Sequence, residues 1–255
     1  KKLKRSKQRI NNLRFFEDVK VDTRPGKAPD LLDIETTVTE RPTGTFAVGA
    51  GFSSIENLIF TANVSQDNIF GRGQKLAFAV EMSSLRNNFN LSFTDPRVLD
   101  STLTAGIDAF NRMNNFFSFK SRNRGGGLRF GKAVGEYDWI GINYRYENIR
   151  VTEVQEQIET AFLFNGQRTT SRIAPTYIRD TRDDFLNPTS GWRHKVRFDL
   201  GGLGGLKFYR SSYELTYYRS LLGKLVGAIH SVINWADGYG GDVLPIFERY
   251  FLGGP

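Results

Sequence analysis

The sequence predicts a mainly β protein, a transmembrane antiparallel β-barrel of eleven strands preceded by the α/β tail of a small module. Three observations predict it. From Gly44 onward, apolar and polar residues alternate with a period of two through one segment after another, the pattern of strands with two unlike faces. Most of these segments approach the ~9–11 residues that cross a bilayer at a tilt, where soluble strands run ~5–6. The links between them also alternate in character along the chain.

Composition removes the competing classes. The 255 residues include no Cys, 26 Gly and 21 Phe, so neither a disulfide scaffold nor thiolate chemistry is open to the chain. His194 and His230 are too far apart for a His-x-x-x-His metal pair. No apolar run approaches the ~18 residues of a spanning helix. Alternating strands, by contrast, average out to a mean hydropathy such as the −0.39 found here. The net charge of +8 is local: Lys1, Lys2, Lys4, Arg5, Lys7, Arg9 and Arg14 supply seven basic residues before any acid occurs. The other 241 residues carry 28 basic against 27 acidic side chains. That is the solvated face of a short helix, not a basic stripe, and no nucleic-acid partner is expected. With neither an initial Met nor a signal peptide, the chain is expected to be a processed or cropped segment.

Residues 1–42 form the first unit. Leu3, Ile10 and Leu13 recur at helical spacing, so Leu3–Leu13 is expected to be an amphipathic helix. A strand follows at Phe16–Thr23, then the turn Arg24–Pro29, then a strand at Leu31–Glu40 with Leu32, Ile34, Thr36 and Val38 on one face. This unit is too small to hold a core alone and looks like the end of an α/β module.

Residues 43–255 form the second. Thr45–Ser53 sets Phe46, Val48, Ala50 and Phe52 against Thr45, Ala47, Gly49, Gly51 and Ser53. Leu58–Gln66, Lys75–Met82, Asn88–Thr94, Thr102–Phe110, Asn123–Gly131 and Trp139–Glu147 repeat the alternation. Ser171–Asp180, Trp192–Leu200, Phe208–Tyr218 and Leu225–Asp237 complete the eleven. In the ninth, Arg193, Lys195, Arg197 and Asp199 face away from Trp192, Val196, Phe198 and Leu200. A charged face behind an apolar one suits a water-filled lumen with lipid outside, although a soluble sheet would show the same. The links separate the two. Asp67–Gln74, Asp95–Ser101, Lys132–Asp138, Thr181–Gly191 and Ser220–Lys224 are compact, whereas Asn111–Arg122 and Arg150–Thr170 are long. Short turns at one end and long loops at the other mark outer-membrane barrels. Trp139, Tyr144, Tyr146, Trp192, Tyr209, Tyr217 and Trp235 are the expected interfacial aromatic belt.

No catalytic constellation is present, whether a Gly-x-Ser-x-Gly elbow, a phosphate loop or a dinucleotide fingerprint. Gly201–Gly205 sits between strands and is expected to be a flexible loop. His194 shares a face with Trp192, and His230 takes the lumen register beside Val226 and Asn234; a lone barrel His is structural. Asp180, Asp183 and Asp184 could suggest calcium, but Arg179 and Arg182 interleave with them, which favours a salt-bridged turn. No metal and no cofactor is expected.

Three segments together resemble the BamA family of outer-membrane barrel-assembly proteins. Arg9-Ile10-Asn11-Asn12-Leu13-Arg14-Phe15-Phe16-Glu17-Asp18-Val19, leading to Val38-Thr39-Glu40-Arg41-Pro42-Thr43-Gly44, looks like the end of the last periplasmic POTRA domain and its join to the barrel. Arg179–Trp192 is similar to the family's Asp-rich turn with Pro-Thr-x-Gly. Phe247, Glu248, Arg249, Tyr250, Phe251, Leu252, Gly253 and Gly254 resemble the approach to the sixth extracellular loop. Asp67–Gly73 matches the first periplasmic turn. The family's Val-Arg-Gly loop tip does not occur in this sequence, and family barrels have sixteen strands, so the eleven here are expected to be an incomplete set.

The resemblance implies a Gram-negative outer-membrane protein, not an enzyme, that folds and inserts β-barrel clients by strand templating. Its partners would be unfolded outer-membrane clients, periplasmic chaperones and accessory lipoproteins through the POTRA part, and outer-membrane lipid and lipopolysaccharide. Gly44, Thr45, Phe46, Ala47, Val48, Gly49, Ala50, Gly51 and Phe52 would be the lateral-gate strand. Its glycines either weaken the seam or relieve crowding where the wall bends. A two-partner secretion transporter of the same superfamily and a passive porin are the alternatives.

Overall fold

The computed structural model describes the chain except residues 1, 2, 4, 5, 8, 9, 11, 12, 14, 29, 30, 117, 118, 155–165, 185, 186, 224, 246, 247 and 251–255. Of the expected first helix, Leu3, Ser6, Lys7 and Ile10 are helical, and much of the rest falls outside the described residues. β1 (Phe16–Pro25) and β2 (Leu32–Glu40) pair antiparallel as a separate two-stranded sheet.

Eleven strands follow: β3 (Gly44–Ser53), β4 (Asn57–Ile69), β5 (Gln74–Met82), β6 (Arg86–Asp95), β7 (Leu103–Asn115) and β8 (Lys120–Ala133), then β9 (Asp138–Thr152), β10 (Gly166–Asp180), β11 (Gly191–Gly201), β12 (Phe208–Leu222) and β13 (Leu225–Gly238). They make one antiparallel sheet in which each strand pairs only with its neighbours in sequence, from β3 at one edge to β13 at the other. The two edges are not joined to each other, so the sheet is open. Among the described residues no helix is long and apolar enough to cross a membrane.

The pleat divides the residues as their alternation requires. Phe46 lies opposite Val64, Val64 opposite Phe78, and Phe78 opposite Leu91, so one apolar face runs across β3–β6. At the far side Tyr177, Val196, Tyr213 and Ile233 continue it. This face is exposed, with Phe46 73% and Ile233 63% accessible. The opposite, inner face carries Arg172, Arg193, Lys195, Arg197, Asp199, Arg210 and Glu214, and its buried residues include Thr170, Arg172 and Asp199. Apolar side chains outside and charges inside invert the usual partition, as a strand wall between lipid and a polar lumen does.

Three expectations need correction. The long loop read at Asn111–Arg122 is mostly strand: β7 and β8 stay paired up to Asn115 and Lys120, leaving only residues 116–119 as a link. At Arg150–Thr170, β9 and β10 pair up to Val151 and Gly166, and residues 153–165 remain as the longest link between two strands. The extended ladder of β7 and β8 is built from polar residues such as Asn111, Arg112, Asn114 and Asn115, whose composition is that of a loop, whereas in β9 buried Ile149 and Val151 still alternate with exposed Arg150. Trp139 turns inward instead of joining the outer belt. It shares the register of Arg145 and Glu147, and its ring lies where Gly131 and Gly141 would carry side chains. The Gly201–Gly205 stretch is laced to β10, with the Gly202 and Leu203 amides donating to the Ser171 carbonyl and the Leu206 amide to Thr169. Gly205 has φ +99° and passes so close to the Thr169 carbonyl that a Cβ has no room.

β1–β2 sits at the end of the sheet that carries the β4–β5 and β6–β7 links. Phe15 approaches Gly73, and Phe15, Phe16, Arg72, Pro96 and Arg97 line a common hollow.

Candidate functional site

Among the described residues, β3 has a hydrogen-bonded neighbour on one side only. Its ladder to β4 is continuous from Gly44↔Gln66 to Ser53↔Asn57. A Cβ at Gly44 would come 2.7 Å from Gln66 Oε1 and one at Gly49 2.9 Å from Thr61 Oγ1, while Gly51 faces open space. Two of the three glycines therefore make room for cross-strand side chains, and Gly51 alone leaves an empty place. Thr45, Ala47 and Ala50 add little bulk, and Phe46, Val48 and Phe52 stand out on the apolar face.

The hairpin tip beside this edge is tied down. Glu56, in the β3–β4 link, is bound by the Arg86 guanidinium and by the Ser83 hydroxyl at 2.9 Å, while Ser84 Oγ donates to the Glu56 carbonyl at 2.9 Å. The Arg86 and Ser83 hydrogen bonds keep the Glu56 carboxyl below the usual range. β3 is thus anchored through β4 and through its tip, and its other side is free among the described residues.

A second constellation lies on the inner face of β9–β12. The stretch after β13 folds back on it: the Tyr239 amide donates to the Lys207 carbonyl at 3.2 Å, its hydroxyl to the Gly201 carbonyl at 2.6 Å, and Asp242 Oδ2 accepts from the Lys207 amide at 2.9 Å. Glu248 is then buried against two arginines. Arg172 Nη1 donates to both its oxygens at 2.9 and 2.7 Å, and Arg210 Nη1 lies 2.8 Å from Oε2. Asp199, 2% exposed, pairs with Arg197 at 2.8 Å and lies 3.6 Å from Arg210. Glu147 lies 4.0 Å from Arg172. Arg210 is also 5.7 Å above the Tyr250 ring, and Arg249 Nε donates to the Leu244 carbonyl at 3.1 Å.

Of the inner charges read from sequence, Arg193 and Lys195 share Glu214 at 2.9 and 3.3 Å, and Arg197 holds Asp199. Of the sixth-loop residues, Glu248, Arg249 and Tyr250 are placed; Phe247, Phe251, Leu252, Gly253 and Gly254 lie outside the described residues. Arg172, Arg210 and Glu147 are absent from the sequence reading. Each sits at an alternate position of its strand, on the register of Arg197, which is the signal that could have found them. Glu248, the partner that the two arginines share, is 76 residues from Arg172, a distance no local pattern bridges.

The remaining candidates are structural. His194 Nδ1 is 2.8 Å from the Tyr213 hydroxyl within an outer stack with Trp192 and Tyr217, and His230 Nδ1 is 3.2 Å from Thr216 Oγ1 inside. In the β10–β11 turn Arg182 forks onto Asp180 at 2.9 and 2.7 Å, as the salt-bridged turn requires, whereas Arg179 reaches Asp138. Asp183 accepts from the Thr189 hydroxyl and from the Thr189 and Ser190 amides. Those donors, the hydroxyl foremost, hold its carboxyl far below the ordinary range. The oxygens of Asp180 and Asp183 are thereby engaged as acceptors. The arrangement can pair a strand at β3 and clamp a segment on the inner face.

Comparison with known proteins gives these features a context. The model of the Omp85 superfamily domain matches residues 68–255. "Outer membrane protein assembly factor BamA" of Nitratidesulfovibrio vulgaris is 31% identical over 259 residues, covering 99% of this chain and 32% of that protein. The protein of the same name from Neisseria meningitidis serogroup B is 27% identical over 277 residues, covering 99% and 34%. The chain therefore spans about a third of the length of these curated relatives. Among solved structures, BamA from Haemophilus ducreyi lacking POTRA domains 1–3 has the same fold, with a TM-score of 0.71 at 22% identity over 99% of this chain and 52% of that one.

Proposed function

The chain belongs to the Omp85 superfamily, and from that premise we propose that it is the assembly part of a Gram-negative outer-membrane protein that folds and inserts β-barrel clients. What supports this reading is the Omp85 match over residues 68–255 together with an antiparallel wall that is apolar outside and charged inside and begins at β3, a strand paired with β4 along one side. An edge offers unpaired N–H and C=O groups, which in hydrocarbon cost several kcal/mol each, so a client strand that satisfies them is strongly favoured there. Gly44 to Phe52 is the gate, and its pairing with a client is β-augmentation. This needs hydrogen bonds and burial only, so the protein is not an enzyme and uses no cofactor.

The other parts take supporting roles in the same reading. Residues 1–42 are the C-terminal portion of a POTRA domain, on the periplasmic side, and β1–β2 presents strand edges to clients, chaperones or accessory lipoproteins. Residues 43–255 are most of the barrel. The Glu248 clamp keeps the approach to the sixth loop against the wall, so the loop follows the wall when the gate moves.

The test is a tether across the seam. The segment has no native Cys, so one Cys at Val48 and its mate on the closing strand of the full-length protein form a clean pair. Oxidation should stop client insertion in proteoliposomes and reduction should restore it. Full insertion with the seam quantitatively crosslinked would remove β3 from the mechanism.

A further inference from the structure

The outer face contains a hollow that the assembly function does not use. It has a volume of about 640 Å³ and is lined by Phe130, Ile142, Pro175, Tyr177, Val196 and Phe198 among others, with Lys132 beside them. The pairing explains its shape. Phe130 is opposite Ile142 and Ile142 opposite Pro175, so the compact proline ring forms a floor between larger neighbours. The β10–β11 register pairs Arg172↔Gly201 and Ile173↔Leu200, omits Ala174 and Pro175, and resumes at Thr176↔Arg197. Proline brings no N–H, and a proline inside a central strand is unusual for that reason. Behind the hollow, Gly131 and Gly141 carry no side chain and the Trp139 ring takes their place.

Charge is placed on one side of it. Lys132 is exposed at the end of β8, next to the link on the side that carries β1–β2, and makes no hydrogen bond or ion pair among the described residues. Asp138, the nearby acid, is already engaged: the Tyr177 hydroxyl donates to it at 2.5 Å and Arg179 Nη1 lies 3.3 Å away. An apolar hollow of about 640 Å³ with one uncompensated cation at its rim complements a molecule with a hydrocarbon chain and an anionic head. A lysine in this position extends its ammonium towards the headgroup level while its stem stays on the apolar wall.

We propose that this hollow seats one phospholipid of the periplasmic leaflet, with an acyl chain on Pro175 between Phe130 and Phe198 and its phosphate at Lys132. The seat rests on the reading that this face meets the outer membrane. Its lipid is held where the β10–β11 ladder is broken, so the acyl chain covers a place where the wall lacks backbone bonds.

The test uses the full-length protein in phosphatidylethanolamine vesicles with a trace of phosphatidylglycerol carrying a photoactivatable acyl chain, and maps labelled peptides by mass spectrometry. Label is expected to concentrate on Phe130–Ile142 and Pro175–Phe198. Lys132→Gln should reduce it about fivefold, the worth of one lysine against an anionic surface. Val196→Trp, which fills the hollow from the lipid side, should reduce it as well. Photoactivatable diacylglycerol, which lacks the phosphate, should label as weakly as the Lys132→Gln variant. Label spread evenly over all the outer strands, or unchanged in either variant, would overturn the seat, and equal labelling by diacylglycerol would overturn the phosphate contact. Client insertion, measured on the same vesicles, reports the gate separately, and absence of label from every strand would refute membrane embedding itself.

Discussion

Replacing Glu248 with Gln preserves its size and removes the charge that two buried arginines share. The Arg172 side chain is 9% exposed, Arg210 18% and Glu248 4%, so water screens little of the loss. Deleting one partner of a buried ion pair costs about 3–5 kcal/mol, because the other charge stays buried and uncompensated. Asp199 remains 3.6 Å from Arg210 and 4.0 Å from Arg172, which offsets part of that and sets the expectation at the lower end, about 3 kcal/mol. At 1.4 kcal/mol per factor of ten, this is roughly a hundredfold rise in the opening constant of the stretch after β13. Hydrogen exchange reads it directly, since the Tyr239, Asp242 and Glu248 amides are all bonded in the closed form. These amides should exchange roughly a hundredfold faster, while the β9–β10 ladder stays protected. The double variant Glu248→Gln, Arg172→Gln should recover part of the loss. Wild-type exchange in the single variant would refute the claim that this ion cluster holds the segment.

Two further perturbations probe the wall. Gly205→Ala places a Cβ at φ +99° against the Thr169 carbonyl and should destabilise the β11–β12 link by at least the ~1–3 kcal/mol of a strained backbone position. Gly51→Ala, which meets nothing within 4 Å, should leave thermal unfolding unchanged. Asp183 is a carboxylate depressed in the folded state, so its contribution is present above the unfolded value of about 3.9 and is lost only as pH falls through the lower folded value. NMR titration should therefore show it ionised well below pH ~3.9, and Asp183→Asn should loosen the Thr189 and Ser190 amides at neutral pH.

Alternation from Gly44 onward locates all eleven strands, because one face meets hydrocarbon and a register slip would turn Phe46 or Val196 to the wrong side. The same logic explains where it fails. Asn111–Arg122 pairs as strand through residues with no apolar requirement, so its sequence has the composition of a loop. Trp139 is misplaced because its aromatic character suits a membrane interface, and only the missing side chains of Gly131 and Gly141, on its own and a neighbouring strand, show that there is room inside. The Gly201–Gly205 run signals conformational freedom, yet positive φ and close approach to Thr169 are what its glycines serve. At the site, β3 follows from its place in the order of strands. The Arg172–Glu248–Arg210 cluster does not, since its members are brought together by the return of the chain after β13.

The strictly sequential pairing of the sheet also orders its formation in time. Most strands from β4 to β13 join their predecessor across links of two to seven residues, so each addition closes a small loop and registers at once. Joining β3 to β13 or to any later strand spans more than 170 residues, from Ser53 to Leu225. By chain statistics that closure carries roughly 3 kcal/mol more entropy cost than a four-residue turn. Contacts of such long range form late in folding. The wall can thus mature hairpin by hairpin, with the closure of β3 against any distant strand as its slowest step.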